Sequence, residues 1–189
     1  SLMAVLPNMT LMVPCDSLET ERLTLEALLA INGPCYIRFA RESTPVVTKA
    51  DTPMVFGKAN VIRFRQEKPD FIEAFETRLA SEYRNEGETI TLVACGPMVP
   101  EAMRAAWILK KEAGIEARIL NCHTLKPLDK ESLVRAALET GNLLVCEEHQ
   151  TGGFGNIVAG AVLSADLKKQ VGFSMLGVED RFGESGQPW

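Results

Sequence analysis

Four short, almost unbroken apolar runs constrain this chain more than any other feature: Ile90–Cys95, Ala117–Leu120, Leu143–Cys146 and Gly172–Leu176. Between them lie segments of helical length. One runs from about Pro100 to Ala113 and puts Ala102, Met103, Ala106 and Leu109 on one face. Another is capped by Asp129, carries Leu133, Val134, Ala137 and Leu138, and stops at Gly141; a third runs from Asn156 to about Lys168. A strand with no polar alternation is buried on both faces, and joining such strands in parallel requires a crossover, usually a helix. The alternation therefore predicts an α/β architecture: a largely parallel sheet with helices on both sides.

The upstream part reads as a strand–helix–strand unit. Met9–Val13 is a short β-compatible run closed by Pro14, and Asp16 with Glu19 three residues later has the form of a capping box. Leu18, Leu25, Leu28 and Leu29 follow at helical spacing, Gly33-Pro34 stops the helix, and Cys35–Ala40 reads as a second strand. From Glu42 to Pro53 the chain turns to Ser, Thr, Pro, Lys and Asp without a period, which predicts a linker. The expected division is 1–43, a linker at 44–55, and 56–189. Val61–Phe64 is expected to be a strand. Pro69 suits a first helical turn, and Phe71, Ala74, Phe75, Leu79 and Tyr83 predict the apolar face of a helix.

Composition excludes several function classes. Of 189 residues, 46% are hydrophobic and 24% charged, as in an ordinary globular domain rather than a disordered tail. Twenty Lys and Arg against 25 Asp and Glu leave a net charge of −5, without the basic surplus expected of a nucleic-acid binder. No apolar run reaches the ~20 residues needed to cross a bilayer; Ile157–Leu167 is too short and contains Asp166. The opening residues lack a charged-then-apolar leader pattern. Five cysteines cannot all pair, and most end apolar runs, so buried thiols in a reducing cytoplasm are expected.

Ligands of open α/β sheets sit beyond the carboxyl ends of the strands. Those ends carry Gly96-Pro97, Asn121-Cys122-His123 and Glu147-Glu148-His149. A metal site would draw on Cys122, His123, Cys146 and His149, but adjacent strand residues point to opposite sides, which favours buried cysteines beside loop histidines. Gly152-Gly153-Phe154-Gly155 opens a helix and offers N–H groups to a phosphate, yet it lacks the G-x-G-x-x-G spacing, so a tight packing turn is the better reading. Gly183-Glu184-Ser185-Gly186 is not on a strand-to-helix elbow, and Glu147-Glu148 reads as a solvated strand end more readily than as an acid–base pair. Arg38 and Arg41 are the better lead, because a guanidinium after a strand suits bidentate phosphate recognition; alternation is expected to turn them to opposite faces.

Ordered motifs then resemble one family. Ala4-Val-Leu-Pro-Asn-Met-Thr10 and Gly33-Pro-Cys-Tyr-Ile-Arg-Phe-Ala-Arg41 are similar to the end of the pyrimidine-binding domain of transketolases. Ala94-Cys-Gly-Pro-Met-Val-Pro-Glu-Ala102, His123-Thr-Leu-Lys-Pro-Leu-Asp129, Glu147-Glu-His-Gln-Thr-Gly-Gly-Phe-Gly155 and Asp180-Arg-Phe-Gly-Glu-Ser-Gly186 resemble the C-terminal domain of the same enzymes. The similarity points to split or short bacterial and archaeal transketolases, with 1-deoxyxylulose-5-phosphate synthase related. It implies a Rossmann-like three-layer C-terminal domain with a mostly parallel sheet, preceded by the end of an α/β pyrimidine-binding domain. It also implies a thiamine diphosphate enzyme that uses magnesium and moves a two-carbon ketol unit between sugar phosphates.

Arg41 matches the family's substrate-phosphate arginine. The family's diphosphate-binding domain, activating glutamate and ring-cradling aromatics have no counterpart here, so the resemblance implies no thiamine diphosphate bound to this chain alone and no activity alone. The implied partners are the N-terminal section or the rest of the polypeptide, and a second copy in a homodimer. A non-catalytic docking module, or part of a 1-deoxyxylulose-5-phosphate synthase or of a 2-oxo acid dehydrogenase β subunit, is the alternative. The stretch Phe64–Glu88 is longer than the usual strand-to-strand connection.

Overall fold

The computed structural model describes residues 2–184. In chain order its elements are α1 (Leu2–Val5), β1 (Thr10–Met12), α2 (Ser17–Leu29), β2 (Cys35–Ile37), β3 (Asn60–Phe64), β4 (Phe75–Leu79), β5 (Ile90–Ala94), α3 (Met98–Ala113), β6 (Ala117–Asn121), β7 (Thr124–Lys126), α4 (Lys130–Thr140), β8 (Asn142–Gln150), α5 (Phe154–Leu163) and β9 (Gly172–Val178).

The four apolar runs are the parallel strands of a six-stranded sheet ordered β4-β3-β6-β5-β8-β9. Leu92 faces Ile119 and Val93 faces Leu120 across β5 and β6, while Val93 also pairs with Val145 on β8. Because successive side chains point to opposite faces, β5, β6 and β8 each feed two cores. Val93, Leu120, Leu143 and Val145 pack under Leu133, Ala137, Val158 and Val162 of α4 and α5. Leu92, Ala94 and Ile119 pack under Val99, Ala102, Met103 and Ala106 of α3. The α/β expectation of a mostly parallel sheet flanked by helices matches this arrangement. Left-handed glycines end two of the helices, Gly114 at φ 66° and Gly141 at φ 73°.

One expected helix is a strand. Residues 72–74 make a single 3₁₀ turn, and Phe75–Leu79 pairs antiparallel with β3, from Phe64 opposite Phe75 to Asn60 opposite Leu79. The spacing of Phe71, Ala74, Phe75, Leu79 and Tyr83 suited a helix locally, but β3 presents an unpaired edge whose hydrogen bonds a helix cannot satisfy. Buried polar contacts hold this antiparallel extension. Arg63 reaches Glu86 at 2.7 Å, Glu88 at 3.2 Å and Glu116 at 3.4 Å, and Tyr83 donates its hydroxyl to Glu88.

A second, three-stranded sheet is ordered β2-β1-β7. β1 and β2 are parallel across the α2 crossover, whereas β7 comes from beyond the linker and pairs antiparallel with β1. Two further backbone bonds tie the sheets together: Val13 N–H donates to His123 O at 2.8 Å, and Gly96 N–H to Val13 O at 3.1 Å. Gly96 sits at φ 56°, and a Cβ there would lie 2.7 Å from Val13 Cγ1. A side chain at this position meets both the left-handed backbone and the neighbouring strand. Gly96→Ala is therefore expected to lower unfolding stability by about 2 kcal/mol. A urea titration that leaves the midpoint unmoved would contradict this account of the joint.

Candidate functional site

The carboxyl ends of β5, β6 and β8 converge where the small sheet meets the large one, and the crossovers that leave the neighbouring strands β5 and β8 pass to opposite faces there. A cavity of about 300 Å³ opens there, with Val13, Tyr36, Arg38, Cys95, His149 and Phe154 in its wall.

Most candidates from the sequence have structural tasks at this edge. The Glu147 carboxylate, 5% exposed as a residue, accepts the N–H groups of Gly152 (3.1 Å), Gly153 (3.0 Å), Phe154 (2.7 Å) and Gly155 (2.8 Å). It fills the anion site that a helix N-terminus creates. The glycines are required by this proximity: a Cβ on Gly155 would come within 2.7 Å of Glu147 Oε1, and one on Gly153 within 2.9 Å of Oε2. The Gly-rich turn is thus a packing turn around an internal carboxylate, and its donors are already used.

His123 is fully buried, its Nδ1 2.9 Å from Thr124 Oγ1. Burial pushes its pKa down to about 4, against a smaller opposing pull from Asp129, so the ring is neutral near pH 7. His149 is exposed instead, with Nδ1 3.1 Å from Gln150 O. Burial raises the Cys122 thiol well above its usual range and pushes that of Cys146 up to about 11. Among the described residues no three His, Cys, Asp or Glu side chains are grouped to hold a metal ion. Ser185 and Gly186 lie outside the described residues.

Strand alternation does not place the arginines, since β2 ends at Ile37, short of the expected Ala40, and both lie beyond it. Arg38 Nη1 lies 2.7 Å from Glu148 Oε2, a bridge between the sheets with both side chains about a third exposed. Arg41 projects into solvent with its side chain 96% exposed and its guanidinium 3.8 Å from Glu42.

The residues that sequence reasoning underrated are Asp16 and Glu19. Asp16 is the α2 cap, accepting Glu19 N–H at 2.9 Å. Its Oδ2 also accepts the N–H groups of Val47 (2.8 Å) and Thr48 (2.7 Å), and the Thr48 hydroxyl donates to the same carboxylate. Glu19 does not close a capping box on Asp16. It accepts Cys15 N–H at 2.7 Å and Asn121 Nδ2 at 2.8 Å, and so ties α2 to the end of β6. Arg22 donates to Thr52 O at 2.6 Å and to Ala50 O. The expected linker is consequently a strap fixed along its length. The Asp-x-x-Glu spacing marked a helix start, but partners 31 and 102 residues away leave no local trace.

The profile of the transketolase C-terminal domain matches residues 80–188. This chain belongs to the transketolase family. It is 33% identical over 190 residues to a 6-deoxy-6-sulfo-D-fructose transketolase subunit of Clostridium sp. (strain MSTE9), spanning 98% of this chain and 50% of that protein. It is 31% identical to a 1-deoxy-D-xylulose-5-phosphate synthase of Crocosphaera subtropica, over 97% of this chain and 26% of the relative. Among solved structures, a split-gene transketolase described as an inactive β4 tetramer superposes with a TM-score of 0.76 at 35% identity, over 97% of this chain and 52% of that one. The chain thus spans a quarter to about half the length of these relatives. No helix among the described residues is long and apolar enough to cross a membrane.

In this transketolase-family chain Glu19 has an unusual titration. Burial raises its pKa from 4.5 to about 7, despite the opposing bonds from Cys15 and Asn121. The folded chain holds this proton where the unfolded chain has lost it, so folding takes up a proton between about pH 4.5 and 7, and this contribution to stability declines as pH rises through that window. Gln replaces the carboxyl without titrating, and its amide can donate to Asn121 Oδ1, which has no partner among the described residues. Glu19→Gln is expected to flatten the pH dependence of the unfolding midpoint between pH 5 and 7. An unchanged slope would place the titration elsewhere.

Because Glu147 occupies the helix N-terminus, NAD and ATP are expected to leave the thermal midpoint unmoved. A saturable rise with either nucleotide would show that the turn accepts a phosphate.

Proposed function

We propose that this chain is the C-terminal section of a thiamine diphosphate-dependent transketolase that passes a two-carbon ketol unit between sugar phosphates. In this reading it works with an N-terminal section, separate or on the same polypeptide, and the assembled enzyme dimerises in the cytoplasm. The observation that carries the reading is an unfinished sheet. β1 and β2 form a parallel pair with their crossover helix, yet among the described residues nothing pairs with the outer edge of β2. On α2, Leu28 and Leu29 are 75% and 81% exposed, and Phe39 beyond β2 is 53% exposed. Large exposed apolar side chains on the same strand–helix–strand unit as a free strand edge are the marks of a surface that another segment covers.

The described residues do not themselves fit the cofactor. Their one glycine-rich turn opening a helix is filled by Glu147, and they present no grouped metal ligands. In this proposal the diphosphate, the magnesium ion and the ring are held by the other section, and the isolated chain is inactive. When bound in the assembled enzyme, the thiazolium supplies the nucleophile and electron sink.

The part assigned to this chain is substrate orientation. Arg41 presents a planar guanidinium suited to two parallel hydrogen bonds with a phosphate. Its exposure keeps the cost of exchanging water for phosphate small. A charge-assisted pair of this kind contributes about 1.5–3 kcal/mol, or roughly 10- to 100-fold in affinity. Mixing the chain with its N-terminal section is expected to restore ketol transfer. Arg41→Ala should then raise KM for phosphorylated sugars about 10- to 100-fold while leaving unphosphorylated acceptors unaffected. Equal kinetics for the two proteins would remove this role, and capture of an unrelated partner with no transfer would favour a docking module.

A further inference from the structure

The loop that carries Arg41 is suspended from a single turn. Its entry is fixed by Arg38 N–H donating to Met12 O at 2.9 Å. Its exit is fixed by Thr44 Oγ1 donating to Cys15 O at 2.9 Å, then by Val47 and Thr48 N–H on the Asp16 carboxylate. Both anchors belong to the segment Met12–Asp16, and Glu19 holds that segment in turn through Cys15 N–H. Between the anchors, Arg41 has only its 3.8 Å contact with Glu42 among the described residues. The region its guanidinium can reach is therefore set by the backbone on either side.

Asp16 does far more than a helix cap requires. A cap needs one oxygen to accept one N–H from the first turn, and Oδ1 does this for Glu19 N–H. The other oxygen takes two strap N–H groups and shares the Thr48 hydroxyl, in a residue only 3% exposed. A saturated carboxylate of this kind holds the strap just beyond Thr44, and so secures the exit of the loop that carries Arg41. Holding a binding group in its productive geometry before the ligand arrives removes an ordering cost from binding.

We propose that Asp16 is a positioning residue for Arg41: through the Thr44–Thr48 strap it sets the guanidinium where a substrate phosphate is met, and so contributes to the preference for phosphorylated substrates. This rests on the phosphate role assigned to Arg41 above. Asp16 touches no substrate; it acts through the loop. Asp16→Asn keeps the shape and the cap but sets an amide N–H₂ against donors of the strap. Thr44→Val removes only the hydroxyl bond to Cys15 O, in a half-buried position, and is the gentler second variant.

The test is a double-mutant cycle in the enzyme assembled from this chain and its N-terminal section, with phosphorylated and unphosphorylated acceptor sugars compared. Asp16→Asn is expected to raise KM for the phosphorylated acceptor about 5- to 10-fold and Thr44→Val about 2- to 3-fold, with kcat and the unphosphorylated acceptor unaffected. In an Arg41→Ala background neither change should raise KM further, because the group they position is gone. The proposal is overturned if both variants leave KM unchanged, if they lower kcat for both acceptors alike, or if they retain their full effect without Arg41. A flat result for Arg41→Ala alone would instead sink the phosphate reading itself, and the positioning role with it.

Discussion

Two buried carboxylates on the first turn of α2 hold this structure together. A carboxylate removed from water is costly unless donors saturate it. Asp16 and Glu19 draw theirs from the helix itself, from Cys15, from the strap at Val47 and Thr48, and from Asn121 at the end of β6. Each is thus a junction between segments that are remote in sequence. The small sheet, the strap and the large sheet cannot move apart without leaving buried donors and acceptors unpaired. The close approach at Gly96, where β5 meets Val13, depends on the same alignment.

Glu147 repeats the device at the other side of the edge. There a side chain from β8 occupies the N-terminus of α5, so the donors most able to hold an external anion are spent internally. The consequence is chemical. A convergent strand edge in an α/β sheet is the expected ligand site, but here His123 is buried and neutral, only His149 is exposed, and the helix N-terminus is filled. Positive charge available for recognition is displaced to the loop after β2, where Arg38 pairs with Glu148 and Arg41 faces solvent. Arg41 is thus a local point of exposed positive charge on a net-negative chain.

Much of the architecture was legible because its signals are short-range. Unbroken apolar runs such as Leu92–Ala94 have to be buried on both sides, and Asp129 and Gly141 bracket a helix by their own hydrogen-bonding and backbone preferences. The misreading at Phe71–Tyr83 has an equally physical origin. A three- and four-residue apolar spacing is compatible with helix, but the unsatisfied edge of β3 offered five residues of pairing, and the charged side chains on that hairpin found partners in Arg65, Glu76 and Glu86. That edge is created by folding and is invisible in a local window.

By itself, then, the sequence determined the α/β layering and the family resemblance, since each depends on the order of residues along the chain. Tertiary structure decided the functions of the acidic residues. Glu19 binds Asn121 across 102 positions, Asp16 binds the strap across 31 and 32, and Glu147 fills the turn that follows it. The reason is the same throughout: a side-chain carboxylate accepts whichever N–H groups folding brings to it, and burial then makes those partners obligatory.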